Sequence, residues 1–183
     1  MNRDEAQELL FEYTKSEALR NHARGVEAAM RAMARKYGED EDHWGLAGLL
    51  HDFDYEVHPT LEEHPVNGAP ILREHGCPDD IVTAILGHGN HTGVARETPM
   101  AKSLFAVDEL VGLVTAVALV RPSKKVADVA VKSVKKKLKD KRFAAGVNRD
   151  DVREGVAALE LDLDAHIQLV IDALTKVADD IDL

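Results

Sequence analysis

The stretch GLAGLLHDFDYEVHP, residues 45–59, leads an apolar helical pattern directly into a histidine and an aspartate. Such a pattern is typical of a helix that packs into a protein core. An unpaired carboxylate in a core costs several kcal/mol, so it normally pairs with a cation, changes its protonation state or binds a metal ion. His51 and Asp52 therefore need partners from elsewhere in the chain.

Helical periodicity continues on both sides of this stretch, and no segment alternates apolar and polar residues as a strand does. We therefore predict an all-α fold. The predicted helices cover about residues 2–14, 17–37, 43–52, 65–76, 78–89, 99–120, 124–143, 148–161 and 164–181. With 183 residues, 45% of them apolar, the chain is long enough to bury one core, and we expect a single compact domain.

The charge of the chain is acidic, at −10, which argues against a surface that generally binds nucleic acid or an anionic membrane. The basic segment 124–142 is interpreted as a solvated helix face, although it could also contact an anionic partner. One cysteine excludes an internal disulfide, and the N-terminus lacks an apolar signal-peptide core, so we expect a cytoplasmic protein. Asp108 and Glu109 interrupt the longest apolar run, which predicts a buried helix and not a membrane span.

Four polar side chains interrupt otherwise apolar helical faces: His22, His51, Asp52 and Asp108. Two imidazoles and two carboxylates can together hold a divalent ion, since nitrogen and oxygen ligands suit manganese, iron, nickel, cobalt, zinc or magnesium. Histidines are also concentrated, because seven of the nine lie within 49 consecutive residues. We expect four histidines to lie at the surface: His43, His58, His75 and His166.

The order of these residues resembles the superfamily of HD-domain metal-dependent phosphohydrolases. The motifs LLHDFDYE, HPVNGAPIL, AILGH, AVDELVGLVTAVALVRPSK and KSVKKKLKDKRFAAGVNRDD extend the resemblance over nearly the whole chain. The resemblance implies a helical HD-domain fold with a metal-binding core over about residues 16–122 and a helical extension over about 123–183. It further implies a first ion bound by His22, His51, Asp52 and Asp108, and a second bound by His64 and His88 with Asp52 as the bridge.

The chain departs from these relatives at two positions. Some relatives carry Ile-Gly after the His-Asp pair and a second histidine after the one that corresponds to His88, whereas this chain has Phe53-Asp54 and Gly89. His91, two residues beyond Gly89, is the candidate to replace the missing ligand.

A divalent ion lowers the pKa of bound water and shields phosphoryl charge, so the expected activity is hydrolysis of a small phosphomonoester, nucleotide or phosphodiester. Asp52 is expected to orient the nucleophile, and His88 or His91 to stabilise the phosphate or protonate the leaving group. Lys102, Arg121 and Lys124 are candidates to bind substrate, and the protein could form a homo-oligomer. Two alternatives stay open: an oxygenase with two irons on the same scaffold, and a ligand-sensing module without catalysis.

Overall fold

Nine α-helices and no β-strand make up the computed structural model, which describes residues 1–183 and confirms the all-α, single-domain prediction. The helices are α1 (Arg3–Tyr13), α2 (Glu17–Tyr37), α3 (Glu41–Leu50), α4 (Gly68–Glu74), α5 (Asp79–Gly87), α6 (Pro99–Leu119), α7 (Val131–Leu138), α8 (Arg149–Ala158) and α9 (Leu163–Lys176).

Side chains at the helix starts explain where several helices begin. Ser16, Thr98 and Asp162 each accept a hydrogen bond from a backbone N–H in the first turn of α2, α6 and α9, which satisfies a group that the helix itself leaves unpaired. Gly38 ends α2 with φ 73°, a left-handed conformation that favours glycine.

The core forms around α2 and α6, which pack against each other and against α3, α5, α8 and α9. A continuous cluster of buried apolar side chains extends from Ala6 to Ile181. Gly48 lets α3 approach α2 closely, since a Cβ at this position would lie 2.7 Å from the carbonyl oxygen of Val26. This contact between two backbones places the last part of α3 beside the middle of α2.

Three local predictions need correction. The helix predicted for residues 124–143 is helical only over Val131–Leu138, because the chain turns before it to bury Val126 and Val129. The helix predicted to begin at Pro65 starts at Gly68, and the last helix ends at Lys176.

His166, expected at the surface, is 1% exposed. Its Nε2 donates a hydrogen bond of 3.0 Å to the carbonyl oxygen of Ala106, so the imidazole connects α9 to α6. Burial lowers the pKa of His166 from its ordinary value. None of the helices combines the length and the apolar character that crossing a membrane requires.

Candidate metal centre

Three side chains from different helices form a first cluster. His22 lies on α2, His51 follows the last residue of α3, and Asp108 lies in the middle of α6. The Oδ1 atom of Asp108 is 3.0 Å from Nε2 of His22 and 3.3 Å from Nε2 of His51. The nearest donor atoms of the three residues all lie within 4.8 Å of one another, a spacing that could hold one metal ion.

A second cluster contains Asp52, His64 and His88, whose donor atoms also lie within 4.8 Å of one another. His64 belongs to the loop between α3 and α4, and His88 follows α5. The Oδ1 atom of Asp52 is 3.0 Å from Nε2 of His64 and 3.3 Å from Nε2 of His88.

Asp52 connects the two clusters. Its Oδ1 atom faces the two histidines of the second cluster, and its Oδ2 atom lies 3.4 Å from Nε2 of His51 in the first. One carboxylate thus presents an oxygen to each cluster.

Hydrogen bonds from Nδ1 fix the tautomers of two histidines. Nδ1 of His51 donates to the carbonyl oxygen of Gly48 at 2.8 Å, and Nδ1 of His88 donates to that of Ile85 at 2.5 Å. Because a carbonyl oxygen only accepts, Nδ1 carries the proton in both rings, which leaves the Nε2 lone pair directed into the cluster in the neutral form. Nε2 of His51 is buried and makes no well-aligned hydrogen bond, although two carboxylate oxygens lie within 3.4 Å. Imidazole nitrogens and carboxylate oxygens in this arrangement are suitable ligands for a divalent cation.

Asp54 orients His64 in the same way. Nδ1 of His64 donates to Oδ1 of Asp54 at 2.8 Å, and Asp54 is fully buried. A carboxylate behind a ligating imidazole fixes the ring and increases its basicity. Gly68 makes room for this carboxylate, because a Cβ at residue 68 would lie 2.6 Å from Oδ2 of Asp54. Sequence reasoning did not assign Asp54 this role, although its departure from the Ile-Gly pattern of some relatives marked the position.

The carboxylates and imidazoles shift one another's proton affinity. Burial lowers the pKa of His51, but the Asp52 and Asp108 carboxylates outweigh burial and raise it well above its ordinary value. Burial likewise opposes the effect of Asp52 and Asp54 on His64, whose pKa rises to about 9. Burial raises the pKa values of Asp52 and Asp108, yet the neighbouring histidines hold both below their usual range. In the protein without metal, protons therefore neutralise part of the charge that a cation would neutralise.

The clusters lie in a cleft of about 580 Å³. Glu109 also lines this cleft, and its Oε2 accepts a hydrogen bond of 3.0 Å from the backbone N–H of Asn148. Burial, reinforced by the charge of Asp108, raises the pKa of Glu109 to about 7. In the sequence Glu109 only interrupts an apolar run, and nothing in its spacing indicates that it faces the cleft.

The structure corrects the expectation that His91 replaces a missing ligand. His91 lines the cleft but belongs to neither cluster, because its Nε2 donates to the carbonyl oxygen of His64 at 2.8 Å. Gly89 makes room for this ring, since a Cβ there would lie 2.4 Å from Cε1 of His91. His91 therefore holds the backbone of a cluster residue.

The three predicted substrate-binding cations also need correction, because Lys102, Arg121 and Lys124 do not line the cleft. Six positions separate Lys102 from Asp108, which places them about 120° apart around α6. Arg121 and Lys124 lie beyond the end of α6. The cleft lining contains no Lys or Arg and four carboxylates: Asp52, Asp108, Glu109 and Asp151.

Comparisons with known proteins match the same part of the chain. Residues 19–113 match the family model described as HD domain. Over 106 residues the chain is 32% identical to a ribonuclease Y of Oleidesulfovibrio alaskensis, covering 57% of this chain and 20% of that protein. Over 93 residues it is 37% identical to a ribonuclease Y of Thermotoga maritima, covering 49% and 18%.

A third relative is the tRNA (cytidine(56)-2'-O)-methyltransferase of Thermoplasma volcanium, 33% identical over 81 residues that cover 44% of this chain and 24% of that protein. The chain thus spans about a fifth to a quarter of the length of these curated relatives. No solved structure matches it at a comparable level of significance.

Proposed function

Because the chain belongs to the HD-domain family, we propose that it is a metal-dependent hydrolase of phosphate esters. The observation that carries this proposal is the position of Asp52: one oxygen lies within 3.3 Å of His64 and His88, and the other lies 3.4 Å from His51. In this proposal His22, His51 and Asp108 would hold one divalent ion, His64 and His88 would hold the other, and Asp52 would be a ligand shared between them.

Bound divalent ions supply a nucleophilic water of lowered pKa and shield the charge of a phosphoryl group. The chain's own residues supply orientation. Asp52 lies where its carboxylate can accept a hydrogen bond from an attacking water, and Gly48 and Ile85 hold the rings of His51 and His88 through their carbonyl oxygens. His91 fixes the backbone at His64, so the second cluster keeps its shape while substrate enters.

Among phosphate esters, a phosphodiester is the substrate class that we favour. A cleft of about 580 Å³ is large enough for one or two nucleotide units. The cleft lining has no Lys or Arg, and Glu109 and Asp151 are carboxylates outside the proposed ligand set; both facts disfavour a phosphomonoester, whose phosphoryl oxygens carry more negative charge than those of a diester. Two of the relatives described above are named ribonuclease Y, a name that denotes an enzyme cleaving RNA, which is a phosphodiester polymer.

The test is a hydrolysis assay on protein that has been stripped with a chelator and reloaded with single metals. We expect release of nitrophenolate from bis(p-nitrophenyl) phosphate with at least one of manganese, iron, nickel, cobalt, zinc or magnesium, and slower release from p-nitrophenyl phosphate. His51→Ala is expected to lose at least about 100-fold in kcat/KM, because it removes a ligand next to Asp52. His75→Ala, at an exposed histidine after α4, is the matched control and should retain activity.

Equal turnover by His51→Ala and the wild type would contradict the proposal. The same assay in anaerobic buffer separates hydrolysis from the oxygenase alternative. Hydrolysis continues without dioxygen, whereas oxygen consumption by an iron-loaded protein that hydrolyses neither ester would support the oxygenase.

A further inference from the structure

The charge of the chain is divided between two very different parts. Residues 124–142 contain nine Lys or Arg and two Asp, a net charge of +7. The rest of the chain contains 14 Lys or Arg and 31 Asp or Glu, a net charge of −17. A net charge of −10 therefore conceals a strongly basic region, and it does not describe the potential near that region.

Helix α7 presents this charge along one side. Val134 and Leu138 are buried in the core, which fixes the rotation of the helix. The opposite side carries four lysines, at spacings of three and four residues, that line a surface groove of about 700 Å³ together with Asp164 and Gln168 of α9. We call this groove, defined by Lys132, Lys135, Lys136 and Lys139, the lysine groove.

Most of these lysines lack an ionic partner. Lys135 pairs with Asp164 at 2.6 Å, whereas Lys132, Lys136 and Lys139 are exposed and form no ion pair. Like charges three and four residues apart on a helix repel one another. The helix dipole favours lysines in the last turn of α7, but it disfavours Lys132 in the first turn. An anionic partner would stabilise all four.

The lysine groove is joined to the cleft by a rigid segment. Residues 139–147 carry the exposed Lys141 and Arg142 and lead to Asn148, which lines the cleft. The buried side chain of Arg149 donates to the carbonyl oxygens of Asp140, Phe143, Ala144 and Val147, which holds this segment in place. Val147 also packs near Gly112 of the cleft wall.

We propose that the lysine groove binds the phosphodiester backbone of a single-stranded nucleic acid whose scissile bond occupies the cleft. This inference rests on the proposed function and extends it from a small ester to a polymer. A cleft without cations gives a polymer no charge contact beyond the metal ions, whereas the lysine groove supplies several at a distance. A nucleic-acid partner departs from the expectation, based on net charge, that such a partner is improbable.

The size of the cleft favours a single strand. A cleft of about 580 Å³ takes one or two nucleotide units, so a strand whose scissile bond enters it is unpaired at that point. A membrane surface is disfavoured, because binding at an interface uses apolar side chains that enter the lipid, whereas Val134 and Leu138 of α7 are buried and Val131 is partly buried against the core.

Fluorescence anisotropy with a short labelled RNA, and with DNA of the same sequence, tests the proposal. The full-length protein is titrated in EDTA, so that binding is measured without turnover. The groove variant Lys132→Gln/Lys136→Gln/Lys139→Gln removes three charges. The control variant Lys15→Gln/Lys36→Gln/Lys176→Gln removes three exposed charges from other surfaces. A groove variant with Lys→Arg at the same positions keeps the charge and should bind as the wild type does.

For single strands the salt slope is about 0.7 per phosphate contact, so the groove variant should lower the slope of log K against log salt by about 2. With an unchanged affinity at 1 M salt, this corresponds to binding about 50-fold weaker at about 0.15 M salt. The control variant should match the wild type in slope and affinity. Thermal unfolding of each variant shows whether it is folded.

Equal affinity and salt slope for the groove and control variants would overturn the proposal. So would binding to phosphatidylglycerol vesicles without binding to either oligonucleotide. These outcomes are separate from the failure of the proposed function. A wild-type protein that hydrolyses the small diester but binds no oligonucleotide retains that function and loses this inference. A protein that binds the oligonucleotide through the lysine groove but hydrolyses no diester retains the groove as a nucleic-acid site and loses both the proposed function and the placement of a scissile bond in the cleft.

Discussion

Replacing Asp54 with alanine is expected to weaken one of two metal sites and spare the other. The Asp54 carboxylate accepts the Nδ1 proton of His64 at 2.8 Å, and both side chains are buried. Without this acceptor the imidazole can rotate or change tautomer, so its Nε2 no longer stays directed at Asp52. The first cluster, His22, His51 and Asp108, makes no contact with Asp54 and should bind its ion as before.

The expected loss at the second site is about 10- to 100-fold in affinity, which is the range for losing a partner behind a metal ligand. This corresponds to about 1.4–2.7 kcal/mol. Asp54→Asn should lie at the lower end, because an amide oxygen can still accept from Nδ1 while the negative charge is lost.

Titration of the chelated protein with manganese or zinc, in competition with a chromophoric chelator, resolves the two affinities. Asp80→Ala is the matched control, because it removes an acceptor of a histidine proton at an exposed site, 2.6 Å from Nε2 of His43. It should leave both affinities unchanged. Wild-type affinity at both sites in Asp54→Ala, or an equal loss at both, would refute the assignment of Asp54 to His64.

Three further predictions concern stability. Burial lowers the pKa of His64, but Asp52 and Asp54 raise it more, to about 9. In the presence of a chelator, protonated His64 therefore stabilises the fold by at most about 3 kcal/mol. This contribution is complete below about pH 6.5 and is lost as the pH rises to 9. Tm in chelator should fall over that range, and a constant Tm would contradict this. Gly155→Ala places a Cβ 2.6 Å from Cα of Ala106 and should destabilise the protein by about 1–3 kcal/mol in urea, whereas Gly146→Ala, with no atom within 4 Å, should not. Thr14→Val leaves the carbonyl oxygen of Phe53 without its 2.8 Å donor and should cost about 1–3 kcal/mol in the same assay; wild-type stability would show that water replaces the hydroxyl.

The sequence was sufficient to predict the fold class, because caps and apolar periodicity are local. Ser16, Thr98 and Gly38 mark helix ends by hydrogen bonds and backbone conformation that involve only neighbouring residues. The residues of both clusters were also predicted. His22, His51, Asp52 and Asp108 interrupt apolar helical faces, whereas His64 and His88 were implied only by the resemblance to the HD-domain superfamily. Their roles as ligands stay predictions that the titrations above test.

The sequence did not predict the direction in which individual side chains point. Helix α6 is buried on most of its surface, so its apolar pattern does not indicate which turn faces the cleft, and Lys102 was assigned to the wrong side. His166 was misjudged for a related reason, because its partner is a backbone carbonyl on a helix 60 positions away. Asp54 and Glu109 face the site through loop geometry and helix rotation that no local pattern encodes.

The two clusters draw their six residues from positions 22 to 108: two lie within helices α2 and α6, two directly follow α3 and α5, and two lie in the loop between α3 and α4. An ion bound there would connect segments that are far apart in the sequence. At a free concentration about 100 times its dissociation constant, one such ion adds about 2.7 kcal/mol to the free energy of unfolding. Proteases that attack opened molecules should consequently degrade this protein faster in metal-starved cells, so that its abundance follows the metal supply.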